Sequence, residues 1–110
     1  MGTDEVDGLD VAAAILEQRP GLTQMQLHKL TYLVQAADLA WFGEAVYENR
    51  IEAWQMGPMV RGVAGTYMHF GDSPIPSPVI GDSWKLSDRE TWIVSQIVEK
   101  YEVDPNLWTT

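Results

Sequence analysis

One long helix with a clear signal at each end constrains this chain more than any other feature of its sequence. Thr23 and Gln26 have the spacing of a capping box, which begins a helix, and Gly43 can adopt the left-handed conformation that ends one. Between these ends, apolar residues recur at helical spacing. The predicted core stripe consists of Leu27, Leu30, Leu33 or Val34, Ala37 and Trp41. Because residues 39–42 are mainly apolar, we expect the last turn to be buried on nearly every side.

Two further helices are predicted near the ends of the chain. The first covers residues 9–18 and stops at a Pro-Gly pair, and the last opens with a capping box at Ser87 and Glu90 and stops at Asp104-Pro105. Their apolar faces are Val11, Ala14 and Ile15 in the first helix and Ile93, Val94, Ile97, Val98 and Tyr101 in the last. Residues 1–8 are predicted to form a flexible acidic tail, and residues 9–110 a single domain.

The segment after the long helix predicts a small β element and a further helix. Residues 45–47 and 51–54 are β-forming arms around a turn at 48–50, which is typical of a hairpin. Gly57-Pro58 predicts that a helix restarts, because proline suits the first helical position. The apolar face of that helix is predicted to be Val60, Val63, Ala64 and Tyr67. Residues 72–78 contain three prolines and predict an extended loop.

Length and composition limit the fold class and the compartment. A chain of 110 residues suits one domain, and the patterns predict a mainly α (α+β) fold: a compact bundle of about four helices with one short two-stranded β element. The chain has no cysteine, which excludes disulfides and thiolate zinc sites. No apolar run is long enough to cross a membrane, and the acidic start is unlike a signal peptide. We therefore expect a cytoplasmic protein without a membrane partner.

The charge balance restricts the choice of partner. Sixteen acidic and seven basic side chains give a formal net charge of −9, which disfavours binding to the phosphates of nucleic acids. The same field would attract a basic protein and speed its association. Alternatively, the acidity serves solubility alone.

The sequence offers no set of residues suited to catalysis or metal binding. His28 is expected at a helix surface or with its hydrogen bonds satisfied, and His69 with Asp72 lacks a third metal ligand. Four acidic residues could be taken for the paired carboxylates of a catalytic site, but we expect them to form a solvated face: Asp38, Glu44, Glu48 and Glu52. We therefore predict a protein that is not an enzyme and that needs no cofactor or metal.

Two motifs in the middle of the chain resemble a known family. Residues 23–32 match the pattern T-x-x-x-L-x-K-L-x-Y through Thr23, Leu27, Lys29, Leu30 and Tyr32. Residues 53–60 resemble A-W-x-x-G-P-V-V through Ala53, Trp54, Gly57 and Pro58, although Met59 replaces a valine, and Tyr67 stands where the family has an aromatic residue. Together these motifs resemble the Panacea domain, the SocA-like antitoxin domain of bacterial and phage toxin–antitoxin pairs. The resemblance covers about residues 9–102.

The resemblance implies an antitoxin that neutralises a cognate toxin by direct contact. The alternative that it implies is a proteolytic adaptor that delivers a toxin or another substrate to a Clp-type protease. The acidity of this chain predicts a toxin with a basic active-site cleft. Trp54 either belongs to the core or, if it faces outward, is a hot spot for binding. The candidate partner-binding residues are Glu44, Tyr47, Glu48, Glu52, Trp54, Met56 and Arg61.

Overall fold

A computed structural model describes residues 5–55, 57–76 and 80–103 of the chain. These residues form a mainly α fold with one two-stranded antiparallel sheet, as predicted. The elements in chain order are α1 (Gly8–Gln18), α2 (Gln24–Phe42), β1 (Ile51–Trp54), β2 (Gly57–Val60), α3 (Val63–Tyr67) and α4 (Asp88–Val103). Short 3-10 turns lie at Met68–Phe70 and Ser83–Lys85. Within the described residues, no helix is both long enough and apolar enough to cross a membrane.

Helix α2 is the centre of the fold, and its predicted limits are confirmed. Thr23 and Gln26 form the capping box, and Gly43 ends the helix with a φ of 72°. The side of α2 that carries Leu27, Leu30 and Val34 is fully buried, and the helix packs against α1, β2 and α4. This burial is expected to stabilise the helix most, because helices in folded proteins gain most of their stability from packing of an apolar face.

The last turn of α2 differs from the prediction, because it is exposed rather than buried. Trp41 and Phe42 are 46% and 47% exposed, and Leu39 is also exposed. A continuous apolar run has no periodicity, so it cannot show which of its side chains face the core. Of the last two residues of the predicted stripe, Ala37 is buried as predicted and Trp41 is not.

Helices α1 and α4 also match the sequence patterns, with one difference at the start of α1. Asp7 caps α1 and forms a reciprocal box with Asp10, and the Gly8 amide donates to Asn49 Oδ1 at 2.9 Å. Asp7 and Gly8 therefore belong to the folded domain and not to the predicted tail. Ser87 and Glu90 cap α4, and its five predicted core residues are buried. The predicted end of α4 at 104–105 lies outside the described residues.

The hairpin uses a different pair of arms from the one predicted. Strand β1 pairs with β2 in the register Trp54↔Gly57 to Ile51↔Val60, so Gly57-Pro58 begins a strand and not a helix. Gly57 has a φ of 121°, which suits a tight turn between strands and is incompatible with a helix. Helix α3 begins only at Val63, and its predicted apolar face is buried.

The other predicted arm, residues 45–47, is a buried connector held by a side chain. The Gln35 amide accepts from the Val46 amide at 2.7 Å and donates to the Tyr47 carbonyl at 2.7 Å, which replaces the bonds of a strand ladder. Tyr47 is 1% exposed, and its hydroxyl donates to the Thr31 carbonyl. Burial, with a contribution from Tyr32, raises the pKa of the Tyr47 phenol. Tyr47 is therefore a core residue, which corrects its prediction as a partner-binding residue.

Candidate protein-binding surface

Three of the predicted partner-binding residues meet on one side of the hairpin. The Trp54 indole donates to Glu52 Oε1 at 2.8 Å, and Arg61 Nη1 donates to Glu52 Oε2 at 3.3 Å. Trp54 is 36% exposed, so it faces outward and is not a core residue. With the exposed Met68, these residues form what we call the hairpin surface: Glu52, Trp54, Arg61 and Met68. One carboxylate thus holds an indole and a guanidinium in place.

The strand register explains why these side chains are neighbours. Glu52 and Trp54 are two residues apart on β1, and alternate residues of a strand share a face. Arg61 directly follows β2, and its amide donates to the Arg50 carbonyl at 2.8 Å, which extends the ladder by one step. The hairpin therefore fixes the backbone under both ends of the ion pair.

Two open grooves border the hairpin surface. The first, of about 320 Å³, runs between the hairpin and α3, where Gly62 and Gly65 keep the wall free of side chains. The second, of about 390 Å³, lies along β1, and Glu52 and Trp54 line both. The lining of the second is completed by Tyr32, Ile51, Ala53, Gly57 and Pro58. Such open grooves beside an exposed tryptophan suit contact with a protein better than enclosure of a small molecule.

The residues of the two family motifs have mixed roles. Thr23 caps α2, whereas Leu27 and Leu30 are in the core and Lys29 is half-buried on the same helix. Tyr67 is buried, and its hydroxyl accepts from the Ile80 amide at 3.2 Å. The other motif residues meet in the second groove, where Tyr32 of the first motif joins four residues of the second: Ala53, Trp54, Gly57 and Pro58.

The remaining predicted partner-binding residues do not join this surface. Glu44 lies past the end of α2, where its carboxylate pairs with Arg89 at 3.1 Å. Glu48 is exposed and lines a separate depression with Asp7 and Asn49. Met56 lies outside the described residues. The predicted acidic face is therefore divided among separate places on the molecule.

A second exposed surface, which the sequence patterns missed, covers the end of α2 and the start of α4. The rings of Trp41 and Trp92 lie 5.9 Å apart, and the Arg89 guanidinium lies 5.5 Å from the Phe42 ring. With the exposed Leu39, they form what we call the aromatic patch: Leu39, Trp41, Phe42 and Trp92. The apolar run 39–42 could have indicated this surface, because one helix turn cannot bury all its sides against a single neighbour.

An ion pair between a buried carboxylate and a partly exposed arginine supports the aromatic patch. The side chain of Asp38 is fully buried and accepts two hydrogen bonds from Arg89, at 3.2 and 3.1 Å. The hydrogen bonds to Asp38, with further attraction from Glu44 and Glu90, raise the pKa of Arg89. Asp38 was predicted on a solvated face, so this is a correction. The pair joins α2 to α4 and holds Arg89 over Phe42.

The two histidines lie in different environments, one buried and one exposed. His28 is fully buried rather than at a surface, and neither ring nitrogen has a hydrogen-bond partner among the described residues. Burial lowers the pKa of His28. His69 is exposed and its ring lies 4.1 Å from that of Phe70. The described part of the chain has no group of three His, Asp or Glu side chains placed to hold a metal ion.

Comparison with known proteins gave no relative. The chain matches no protein-family model, and no match was found among curated proteins or solved structures.

Proposed function

We propose that this chain is an antitoxin of the Panacea kind, which neutralises a cognate toxin in the cytoplasm by direct contact through the hairpin surface. The observation that carries the proposal is the meeting of the two motif segments in one groove, where Tyr32 and Trp54 line the same space. Because the groove is open, and Ala53 and Trp54 are exposed in it, these motif residues are accessible to a partner.

The chemistry of the hairpin surface suits this role. Tryptophan and arginine are the residues most often found as hot spots of protein interfaces. Glu52 already holds Trp54 and Arg61, so less side-chain freedom is lost on binding than with unrestrained groups. Met68 adds an adaptable apolar contact beside them. Neutralisation would follow from occlusion of a basic active-site cleft on the toxin, with no cofactor and no reaction carried out by this chain.

The test is neutralisation of the protein encoded by the adjacent reading frame, since the partners of such pairs are usually encoded side by side. We expect Trp54→Ala to weaken binding by about 2 kcal/mol or more, or roughly 30-fold, as for a truncated hot spot. Trp84→Ala is the matched control, because Trp84 is 70% exposed and lies outside both grooves. Calorimetry and growth rescue would measure both effects. Full binding by Trp54→Ala with an unchanged melting temperature would reject the hairpin surface as the interface.

The aromatic patch supports a second candidate function, that of a proteolytic adaptor. An adaptor needs one surface for its cargo and another for the protease. Trp41 lies nine residues beyond Tyr32 on α2, about 14 Å along the helix axis at 1.5 Å per residue. A purified mixture of the two proteins separates the candidates, because an antitoxin silences its toxin alone whereas an adaptor needs the protease. Under the adaptor hypothesis, Trp41→Ala with Trp92→Ala abolishes degradation and leaves toxin binding intact.

A further inference from the structure

The hairpin leaves some backbone groups unused, and the pairing shows which ones. Arg61 and Arg50 form a hydrogen-bonded pair one step beyond the strands. Hydrogen-bonded and non-hydrogen-bonded pairs alternate in an antiparallel ladder, so the pair Ala53↔Pro58 is of the non-hydrogen-bonded type. Proline has no N–H to donate, which agrees with this assignment. Ile51↔Val60 is of the same type.

The two outer edges of the hairpin are therefore unequal. On β1, Ile51 and Ala53 point their N–H and C=O groups away from β2, and both residues are exposed. Within the described residues, these groups have no hydrogen bond to any other element. The outer edge of β2 has Pro58 at the corresponding position, and β2 packs against α2. Proline blocks the addition of a further strand, so the edge of β1 is the one able to accept a partner strand.

A second copy of this chain is a poor occupant for that edge. The antiparallel pairing that uses both Ile51 and Ala53 places Glu52 opposite Glu52 of the other copy. They form a non-hydrogen-bonded pair, in which side chains approach most closely. Like charges directly opposite each other destabilise a sheet, and each copy also carries a net charge of −9. A strand with a basic side chain at that position avoids this repulsion and gains an opposite-charge pair.

We infer that an extended, basic segment of the toxin adds to the hairpin as a third strand along β1. This inference rests on the proposed function for the identity of the partner. The backbone groups of Ile51 and Ala53 bind the segment, and a lysine or arginine of the segment lies opposite Glu52. Apolar side chains of the segment enter the second groove, which Tyr32 and Pro58 line. Main-chain bonds give such pairing its affinity, and the side-chain positions give it selectivity.

A library of random ten-residue peptides displayed on phage tests the inference without knowledge of the toxin. Selection on the full chain should enrich peptides that alternate β-branched or aromatic residues with polar ones and carry a central lysine or arginine. A bound peptide should slow hydrogen exchange at the Ile51 and Ala53 amides by at least about tenfold relative to the free chain. The inference is overturned if no such peptides emerge, or if the amides that they protect lie elsewhere.

One substitution blocks the edge while sparing the hairpin itself. Ala53→Pro removes the outward N–H without removing a hydrogen bond to β2, because the Ala53 amide makes no bond to β2, and it should weaken binding of the selected peptides by at least tenfold. Ala53→Val is the matched control, which keeps the N–H in a strand-favouring residue and should retain binding. Glu52→Lys should shift the selected peptides from basic to acidic central residues. Equal peptide binding by Ala53→Pro with a native circular dichroism spectrum would contradict the inference, and the exchange measurement still tests it if that variant does not fold.

The same variants separate this inference from the proposed function. If Ala53→Pro neutralises the toxin as well as the wild type does, the strand addition is wrong while the antitoxin function stands. If the peptides protect the β1 edge but no adjacent-frame protein is neutralised, the edge is a binding site and the antitoxin function is wrong.

Discussion

His28 shows how a single residue can depart from its sequence context and affect the stability of the whole chain. Its position near the start of an amphipathic helix suggested a histidine at the surface or with its hydrogen bonds satisfied, yet it is buried. Gln24 Oε1 is buried as well, and neither group has a hydrogen-bond partner among the described residues. A buried polar group without a hydrogen bond costs roughly 1–3 kcal/mol. Adding a proton costs more, because the charged imidazolium would lose its hydration. Burial therefore lowers the pKa of His28 in the folded state.

This lowered pKa predicts a loss of stability in mild acid. Below the unfolded-state value of 6.5 the unfolded chain binds a proton that the folded chain does not, so the free energy of unfolding falls as the pH drops. The slope contributed by one proton is at most about 1.4 kcal/mol per pH unit. We expect urea unfolding between about pH 7.5 and 5.5, above the carboxylate range, to show this decline in the wild type. His28→Leu should flatten it, whereas the exposed His69→Gln should not. A wild type equally stable at both pH values would contradict the assignment.

At the scale of the secondary-structure elements, the sequence predicted best where a local signal and the tertiary fold agree. The capping boxes at Thr23 and Ser87 are short-range hydrogen-bond patterns, so both helices begin where predicted. The prediction of the hairpin's arms was wrong because a Gly-Pro pair fits both a helix start and an edge strand. The positive φ of Gly57 decides between them, and it depends on the turn rather than on composition. The burial predicted for residues 39–42 was wrong because a continuous apolar run does not show which of its side chains face the core. At the site, Glu52, Trp54 and Arg61 were predicted, but their contact depends on the strand register.

Two glycines, Gly57 at the start of β2 and Gly65 within α3, test this account of the hairpin and α3. A methyl group added at Gly65 or at Gly57 meets no atom within 4 Å, so packing does not distinguish them. Gly65 lies within α3, where alanine is favoured by roughly 0.5–1 kcal/mol, and Gly65→Ala should raise the melting temperature by about 2–8 °C. Gly57 has a φ of 121°, so Gly57→Ala should destabilise by about 1–3 kcal/mol. Thermal unfolding followed by circular dichroism measures both. Changes of the same sign in the two variants would be incompatible with this backbone assignment.

At the scale of the whole molecule, the acidic charge acts separately from the contacts of the hairpin surface. Several cations are occupied in ion pairs, such as Arg61 with Glu52 and Lys85 with Asp10, so the excess of carboxylates remains as a diffuse field. A field of this kind raises the rate of association with a basic partner, whereas the close contacts govern how long the complex lasts. The predicted acidic residues lie in separate places on the molecule. This does not weaken the electrostatic attraction of a basic partner, because that attraction depends on the net charge.

Salt and three charge reversals should separate these contributions for the proposed toxin complex. Raising the salt from about 0.01 M to about 1 M shortens the screening length from about 30 Å to about 3 Å, so association should slow markedly while dissociation changes little. Glu99→Lys on α4 and Glu48→Lys each replace a negative charge with a positive one at an exposed position, so the two variants should slow association alike. Glu52→Lys should in addition speed dissociation, because it releases the Trp54 indole and repels Arg61. Stopped-flow mixing resolves both rates. Association rates that stay flat across this range would leave the acidity as a determinant of solubility, and a Glu52→Lys dissociation rate equal to that of Glu48→Lys would remove the Glu52 contacts from the interface.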